Sequence, residues 1–223
     1  MIEFIQIYLK FRILYKKIKI MGYSNFKRVR QVLQKFDLKD IRKPLFEKII
    51  PIEPSDRLKQ ALEISKFIPL HNEKAKSEWL IAPILTEVLL SHLPLISLYS
   101  GEEINIDAAN DLAGACDFVF SLVPNSYELH VPIFALTEAK DEDLDYGIAQ
   151  CSAQMYAAQK LNEQENRPLP FVYGCATTGG EWRFLKLENK TLFVDRSSYF
   201  LPELPLILGN FHQIIKEFDF DKE

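Results

Sequence analysis

Cysteine is scarce in this chain, and its pattern is unpaired. Cys116, Cys151 and Cys175 are an odd number with no CxxC spacing, which argues against a disulfide framework or a zinc site and suits a reducing cytoplasm. Cys116 and Cys175 lie in strand-like apolar runs and read as small buried hydrophobes. Histidine is also sparse. His71, His92, His130 and His212 show no metal-ligand spacing, and lone histidines are usually structural. The 8 glycines and 12 prolines are scattered, which removes collagen-like and low-complexity readings. No Gly-rich phosphate loop is present, so the chain carries no motif of a nucleotide-driven motor. An uncharged apolar run of the roughly 20 residues a membrane span requires is missing too. The longest candidate, "LIAPILTEVLLSHLPLISLY", contains Glu87, His92 and two prolines. Residues 1–20 carry basic side chains throughout and no small-residue cleavage site, so they do not read as a signal peptide. The expectation is a cytoplasmic protein with no membrane partner.

What is present is ordinary globular composition. The 223 residues are 48% hydrophobic and 26% charged, enough for one sizeable core. The net charge of −4 conceals an asymmetry: residues 1–48 hold 13 Lys+Arg against 4 Asp+Glu, and the remainder holds 14 against 27. A basic arm on an acidic body suits nucleic acid or an anionic surface, but a solvated helix face reads the same way. A start at Met21 would make residues 1–20 an upstream extension.

Periodicity predicts helices first. Phe26, Val29, Val32, Leu33 and Phe36 recur at helical spacing, and "SDRLKQALEISKF" comes after three prolines with Ser55 as its cap. A third helix is expected over 74–92, with Pro83 kinking it or marking its first turn. The period then changes. "LPLISLYS" and "EEINID" read as strand and turn with Gly101 as the breaker. "GACDFVFSLV" and "ELHVPIFALTEAK" are apolar on both parities, as strands covered on both faces are. Next come a helix over 145–163, the strands "LPFVYGCATT" and "EWRFLKL" joined by Gly179-Gly180, a short strand "KTLFVDRSS", and a closing helix "LPLILGNFHQIIKEF". The fold class is α/β (α+β), one mixed sheet flanked by helices. The expected division is a basic helical extension over 1–72 and a main domain over 73–223.

Two strands carry acids where apolar residues belong. Glu138 and Lys140 share the strand parity of Phe134 and Leu136, so a carboxylate and an ammonium end an otherwise buried face. Asp117 is the same anomaly one strand earlier, and a buried carboxylate is costly unless paired or bound to a metal. In a hairpin, facing residues keep a nearly constant index sum. Asp117 and Glu138 sum to 255, with the turn residues Pro124-Asn125-Ser126 just before the midpoint. Two facing carboxylates want a cation, and hard oxygens suit Mg²⁺ or Mn²⁺. An anion that needs both a metal and a lysine is most naturally a phosphate. Gln150 and Gln154 lie one turn apart on the next helix, where neutral amides can contact a phosphate oxygen, water or base edge. The competing readings are a same-face salt bridge for Glu138–Lys140 and a polar helix stripe for the glutamines. The tripeptide Asp/Glu-x-Lys occurs three times, at Asp37, Glu138 and Glu188; only the middle one ends a buried strand and precedes a glutamine-bearing helix.

An acid in "GACDFVF", "TEAK" in the next strand, "GIAQ" in the helix and a strand after it resemble the PD-(D/E)XK restriction-endonuclease-like superfamily. "SEWLIAPIL", "CDFVF", "LTEAK", "GIAQCSAQMYAAQ" and "VYGCATTGGEWRFLKL" look closest to the N-terminal nuclease domain of type I restriction enzyme motor subunits. The resemblance covers about residues 73–195 and implies a mixed sheet between helices and Mg²⁺-dependent hydrolysis of phosphodiesters, in DNA above all. By the same resemblance Asp117 and Glu138 would bind metal, Lys140 would serve catalysis, and Gln150 would match the helix glutamine. Glu78, within "SEWLIAPIL", would be the acid of the first core helix in preference to Glu87. The family's glutamine is often followed four residues later by tyrosine; here that position is Gln154 and the nearest tyrosine is Tyr156, so both stand as candidate substrate contacts. The rival function is a non-catalytic binding or scaffolding module on the same fold. Pairing into a homodimer or with a separately encoded subunit is compatible with either.

Overall fold

The computed structural model describes residues 22–140 and 143–218. The expected extension over 1–20 lies outside them. The elements in chain order are α1 (Val29–Phe36), β1 (Lys39–Lys43), α2 (Asp56–Ser65), α3 (Glu73–Lys76), a π-helical turn (Ser77–Ile81) and α4 (Ala82–Ser91). Then come β2 (Ser97–Glu103), β3 (Ala115–Ser121), β4 (Ile133–Ala139), α5 (Leu144–Gln164), β5 (Phe171–Thr177), β6 (Glu181–Glu188), β7 (Thr191–Asp195), β8 (Tyr199–Phe200) and α6 (Leu204–Lys216).

All eight strands form one mixed sheet in the order β1-β7-β6-β5-β4-β3-β2, with β8 paired to β6. β2, β3 and β4 are antiparallel neighbours, whereas β4 and β5 are parallel. A parallel pair cannot be closed by a tight turn, and α5 supplies the crossover. The α/β expectation therefore holds, with helices on both faces. One face carries α1 and α5, whose Val32, Phe36, Ile148 and Met155 meet Val119, Leu136 and Leu187. The other carries α2, α4 and α6, whose Leu58, Leu85 and Phe211 meet Phe120, Phe134 and Trp182. Every residue of β4 is buried, which is the physical content of its apolar run on both parities.

Local chemistry sets the ends. The Ser55 hydroxyl accepts from Leu58 N at the start of α2, relieving one of the donors a helix leaves open. Pro83 falls in the first turn of α4, directly after the π turn. Gly101 adopts φ 74° within β2, so the strand runs through it instead of stopping there. Gly179, at φ 82°, turns the β5–β6 hairpin.

Tyr23, Val32, Phe36 and Leu58 belong to the two cores, and β1 pairs along its whole length with β7. One expectation changes: Phe134 and Leu136 do not share a face. The β3–β4 register shifts between Phe120 and Ser121, and this irregularity sends Phe134 towards Phe120 and Phe218 while Leu136 faces α5.

Candidate functional site

Between β3 and β4 the register Phe118↔Thr137, Val119↔Leu136, Phe120↔Ala135 keeps the index sum expected from the turn. Continued by one residue, it sets Asp117 across from Glu138. There the ladder gives way to a side chain: Asp117 Oδ2 accepts from Ala139 N at 2.8 Å. The Asp117 carboxylate is thus oriented by the end of the strand that carries Glu138 and Lys140.

Glu138 is 3% exposed. Its Oε1 lies 2.8 Å from Lys140 Nζ, and its Oε2 accepts from Gln154 Nε2 at 2.6 Å. Lys140 reaches this position because its backbone N–H donates to Thr177 O, tying the end of β4 to β5. The start of α5 packs on the lysine stem. A Cβ on Gly147 would meet Lys140 Cγ at 3.2 Å and Ala176 Cβ at 3.4 Å, so glycine permits the close approach. The Tyr146 ring lies 5.6 Å from Lys140 Nζ.

Burial governs the electrostatics. Desolvation pushes the Glu138 carboxyl up to about 7, Asp117 adds to the rise, and Lys140 and Gln154 oppose it. Asp117 is also raised, by burial first, with Ala139 N–H and Lys140 working against it and Glu73 with it. For Lys140 burial acts to lower the pKa, but Glu138, Asp117 and Glu73 outweigh it and hold the ammonium charged. Two carboxylates therefore compete for one cation.

The structure brings Asp117, Glu138, Lys140 and Gln154 together and adds an acid that the sequence did not single out. Glu73 Oε1 is 3.5 Å from Lys140 Nζ. Glu78 instead pairs with Lys74 at 2.6 Å, with half of its side chain exposed. Residues five apart point in different directions on a helix, so at most one of the two acids can face the site. The π turn at Ser77–Ile81 shifts the helical phase between α3 and α4. Asn72 caps α3 through Ala75 N, and that N-terminal capping signal in "NEKAK" marks Glu73 as a first-turn acid. Gln150 is 6% exposed, and its Oε1 has no hydrogen-bond partner; the same holds for Gln154 Oε1. Tyr156 lies further along α5, stacked on Phe36 at 4.6 Å between ring centroids.

Compared with known proteins, the chain matches no family model, and no curated protein matches it. The chemistry of the site therefore rests on its own atoms. Among the described residues no three His, Cys, Asp or Glu side chains are grouped to hold a metal. Mg²⁺, however, is commonly held by one or two carboxylates with water and substrate phosphate completing its shell. Asp117 and Glu138 are two hard oxygen donors of that kind, and they do not form an all-protein cage.

Cys116 and Cys175 are buried, as expected of small hydrophobes, and so is Cys151. His92 and His212, unlinked by spacing, meet: His92 Nε2 and His212 Nδ1 are 2.8 Å apart. No helix among the described residues is long and apolar enough to cross a membrane.

Proposed function

We propose that this chain is a metal-dependent nuclease of the restriction-endonuclease-like kind that hydrolyses phosphodiester bonds in DNA. The single observation that carries the reading is the Lys140 ammonium 2.8 Å from the buried Glu138 carboxylate at the end of β4, with Asp117 across from it on β3. The order helix, β2, β3, β4, α5, β5 supports it, since that order and those residues carry the resemblance. Asp117 and Glu138 would hold Mg²⁺ or Mn²⁺, which when bound polarises a phosphoryl oxygen and lowers the pKa of water. Lys140, kept charged by three carboxylates, orients the attacking water or stabilises the extra negative charge of the transition state. Gln154 fixes one oxygen of Glu138, and the Gln150 carbonyl oxygen is available to a bound water.

A second reading has its own observation. Both oxygens of Glu138 are already occupied, by Lys140 and Gln154, which is how a purely structural buried pair is satisfied. On that reading the chain is a binding or scaffolding module.

Melting temperature with and without millimolar Mg²⁺ or Mn²⁺, in wild type and Glu138→Ala, separates the two. A ligand that binds only the folded state raises stability with the logarithm of its concentration. The nuclease reading expects a rise in wild type that the variant lacks, followed by cleavage of DNA that Lys140→Ala abolishes. Absence of both the rise and any Lys140-dependent cleavage would overturn it in favour of the module.

A further inference from the structure

Beside the site lies a concavity of about 270 Å³ lined by Arg28, Arg42, Arg183, Asp40, Asp145 and Ile148. It draws together arginines far apart in sequence: one just before α1, one in β1 and one in β6. The sheet register locates it. Glu138 is paired with Ala176, and Ala176 with Arg183, so Arg183 stands in the same row two strands from Glu138, about 10 Å away at ordinary strand spacing. The first turn of α5 separates the two. Tyr146 and Gly147 face Lys140, while Asp145 and Ile148 line the concavity.

The three arginines are not equally committed. Arg183 is mostly buried and donates to the Ser198 hydroxyl. Arg28 and Arg42 are exposed. Arg28 lies 4.0 Å from an equally exposed Asp145, and Arg42 makes a 3.4 Å bond to Arg196 O. Guanidinium groups present planar donor forks that match phosphate, and neither exposed fork is held by a buried partner. Lys27 adds a charge at the same turn, its Nζ donating to Tyr146 OH at 2.8 Å. Arg28, Arg42 and Lys27 come from the basic stretch 1–48, which here meets Arg183 of the acidic remainder.

We propose that this arginine-lined concavity seats a backbone phosphate of the DNA strand next to the one held at Asp117, Glu138 and Lys140, so that the strand crosses the first turn of α5. The proposal rests on the nuclease reading for its direction. Asp40 and Asp145 would weaken the grip and set its strength, since each offsets one guanidinium.

The test measures binding without cleavage. Fluorescence anisotropy of labelled single-stranded and duplex oligodeoxynucleotides in EDTA is measured against salt for wild type, the double variant Arg28→Glu/Arg42→Glu and Asp145→Asn. Melting curves check that each is folded. Both arginines are exposed, so the charge reversals leave the core intact. The expected result is that the double variant loses roughly tenfold or more in affinity and that its salt slope falls by about 1 for each phosphate it no longer neutralises. Asp145→Asn binds more tightly, a gain that a merely structural Asp145 would not produce. Equal affinity and slope in wild type and the double variant would overturn the concavity while leaving the metal site untouched. Wild type that binds neither oligonucleotide would overturn it too, and the separate Mg²⁺ melting shift at Glu138 then decides whether the nuclease reading survives.

Discussion

Gln154 donates to the buried Glu138 carboxylate at 2.6 Å, and its own carbonyl oxygen has no partner. A side chain that is 1% exposed and leaves an acceptor unmet gains little from burial unless the bond it makes matters. That bond keeps Glu138 more acidic than it would otherwise be. Gln154→Leu is therefore expected to cost about 1–3 kcal/mol of stability, since a buried carboxylate oxygen loses its donor. It should also raise the Glu138 pKa, so that the Mg²⁺-induced melting shift needs a higher pH than in wild type. Denaturant melts and the Mg²⁺ shift measured across pH check both. An unchanged pH dependence would make Gln154 a packing residue only.

Glu138 has a pH signature of its own. Its folded pKa is raised from 4.5 to about 7, so between those values the folded state holds the proton more tightly than the unfolded chain. The stabilisation it contributes is complete below about pH 4.5 and lost as pH rises through about 7. Asp117 is shifted in the same direction. Lys140, raised above 10.5, keeps its contribution until pH exceeds 10.5 and does not enter this window. Glu138→Gln should accordingly lose less stability than wild type between pH 5 and pH 8 without metal, because the variant has no carboxyl to deprotonate there. Urea melts at the two pH values read this directly, and an equal loss in both proteins would contradict it.

Much of this site was legible because its anomalies were sharp. Asp117 and Glu138 stand out as acids in strands apolar on both parities, and the turn at Pro124-Asn125-Ser126 fixes the index sum that pairs their strands. Other features leave weaker traces in a sequence. β1 is exposed at all five positions and exists through backbone pairing with β7, so it has no apolar alternation to read. The two-residue β8 is too short for a period. Glu73, in place of Glu78, reaches Lys140, and the π turn over Ser77–Ile81 changes helical phase without a signature in composition. Phe134 left the face of Leu136 because of a register irregularity, which alternation alone cannot reveal. The arginine-lined concavity combines three elements that meet only in the folded sheet.

The internal glycine of α6 is a packing requirement. A Cβ on Gly209 would lie 2.3 Å from Ile50 O and 2.9 Å from Ile49 Cγ2. The nearest atom is backbone carbonyl, so no side-chain rotation relieves the clash. Gly209→Ala should gain about 1 kcal/mol of helix propensity and lose more than that, since overpacking typically costs about 1–3 kcal/mol and the backbone must also shift. Net destabilisation in a thermal melt is expected. Gly180→Ala is the control, because no atom lies within 4 Å of its added Cβ and its melting temperature should barely move.

The opposite face carries a titrating histidine, and its slope has the other sign. His92 Nδ1 is 2.8 Å from Val88 O. A carbonyl only accepts, so that nitrogen bears the proton, and His92 Nε2 shares a hydrogen bond with His212 Nδ1 at 2.8 Å. Burial lowers the His212 pKa below 6.5, with His92 and Lys216 adding to the effect. A depressed histidine contributes stability that is present above pH 6.5 and lost as pH falls through the folded pKa. Wild type without metal should then lose stability on both sides, towards acid through His212 and towards alkali through Glu138. His212→Asn can still donate an amide hydrogen to His92 and should flatten only the acid limb, while Glu138→Gln flattens only the alkaline one. NMR titration of the imidazole signals supplies the independent check: a His212 pKa at or above 6.5 would assign the acid limb to other groups.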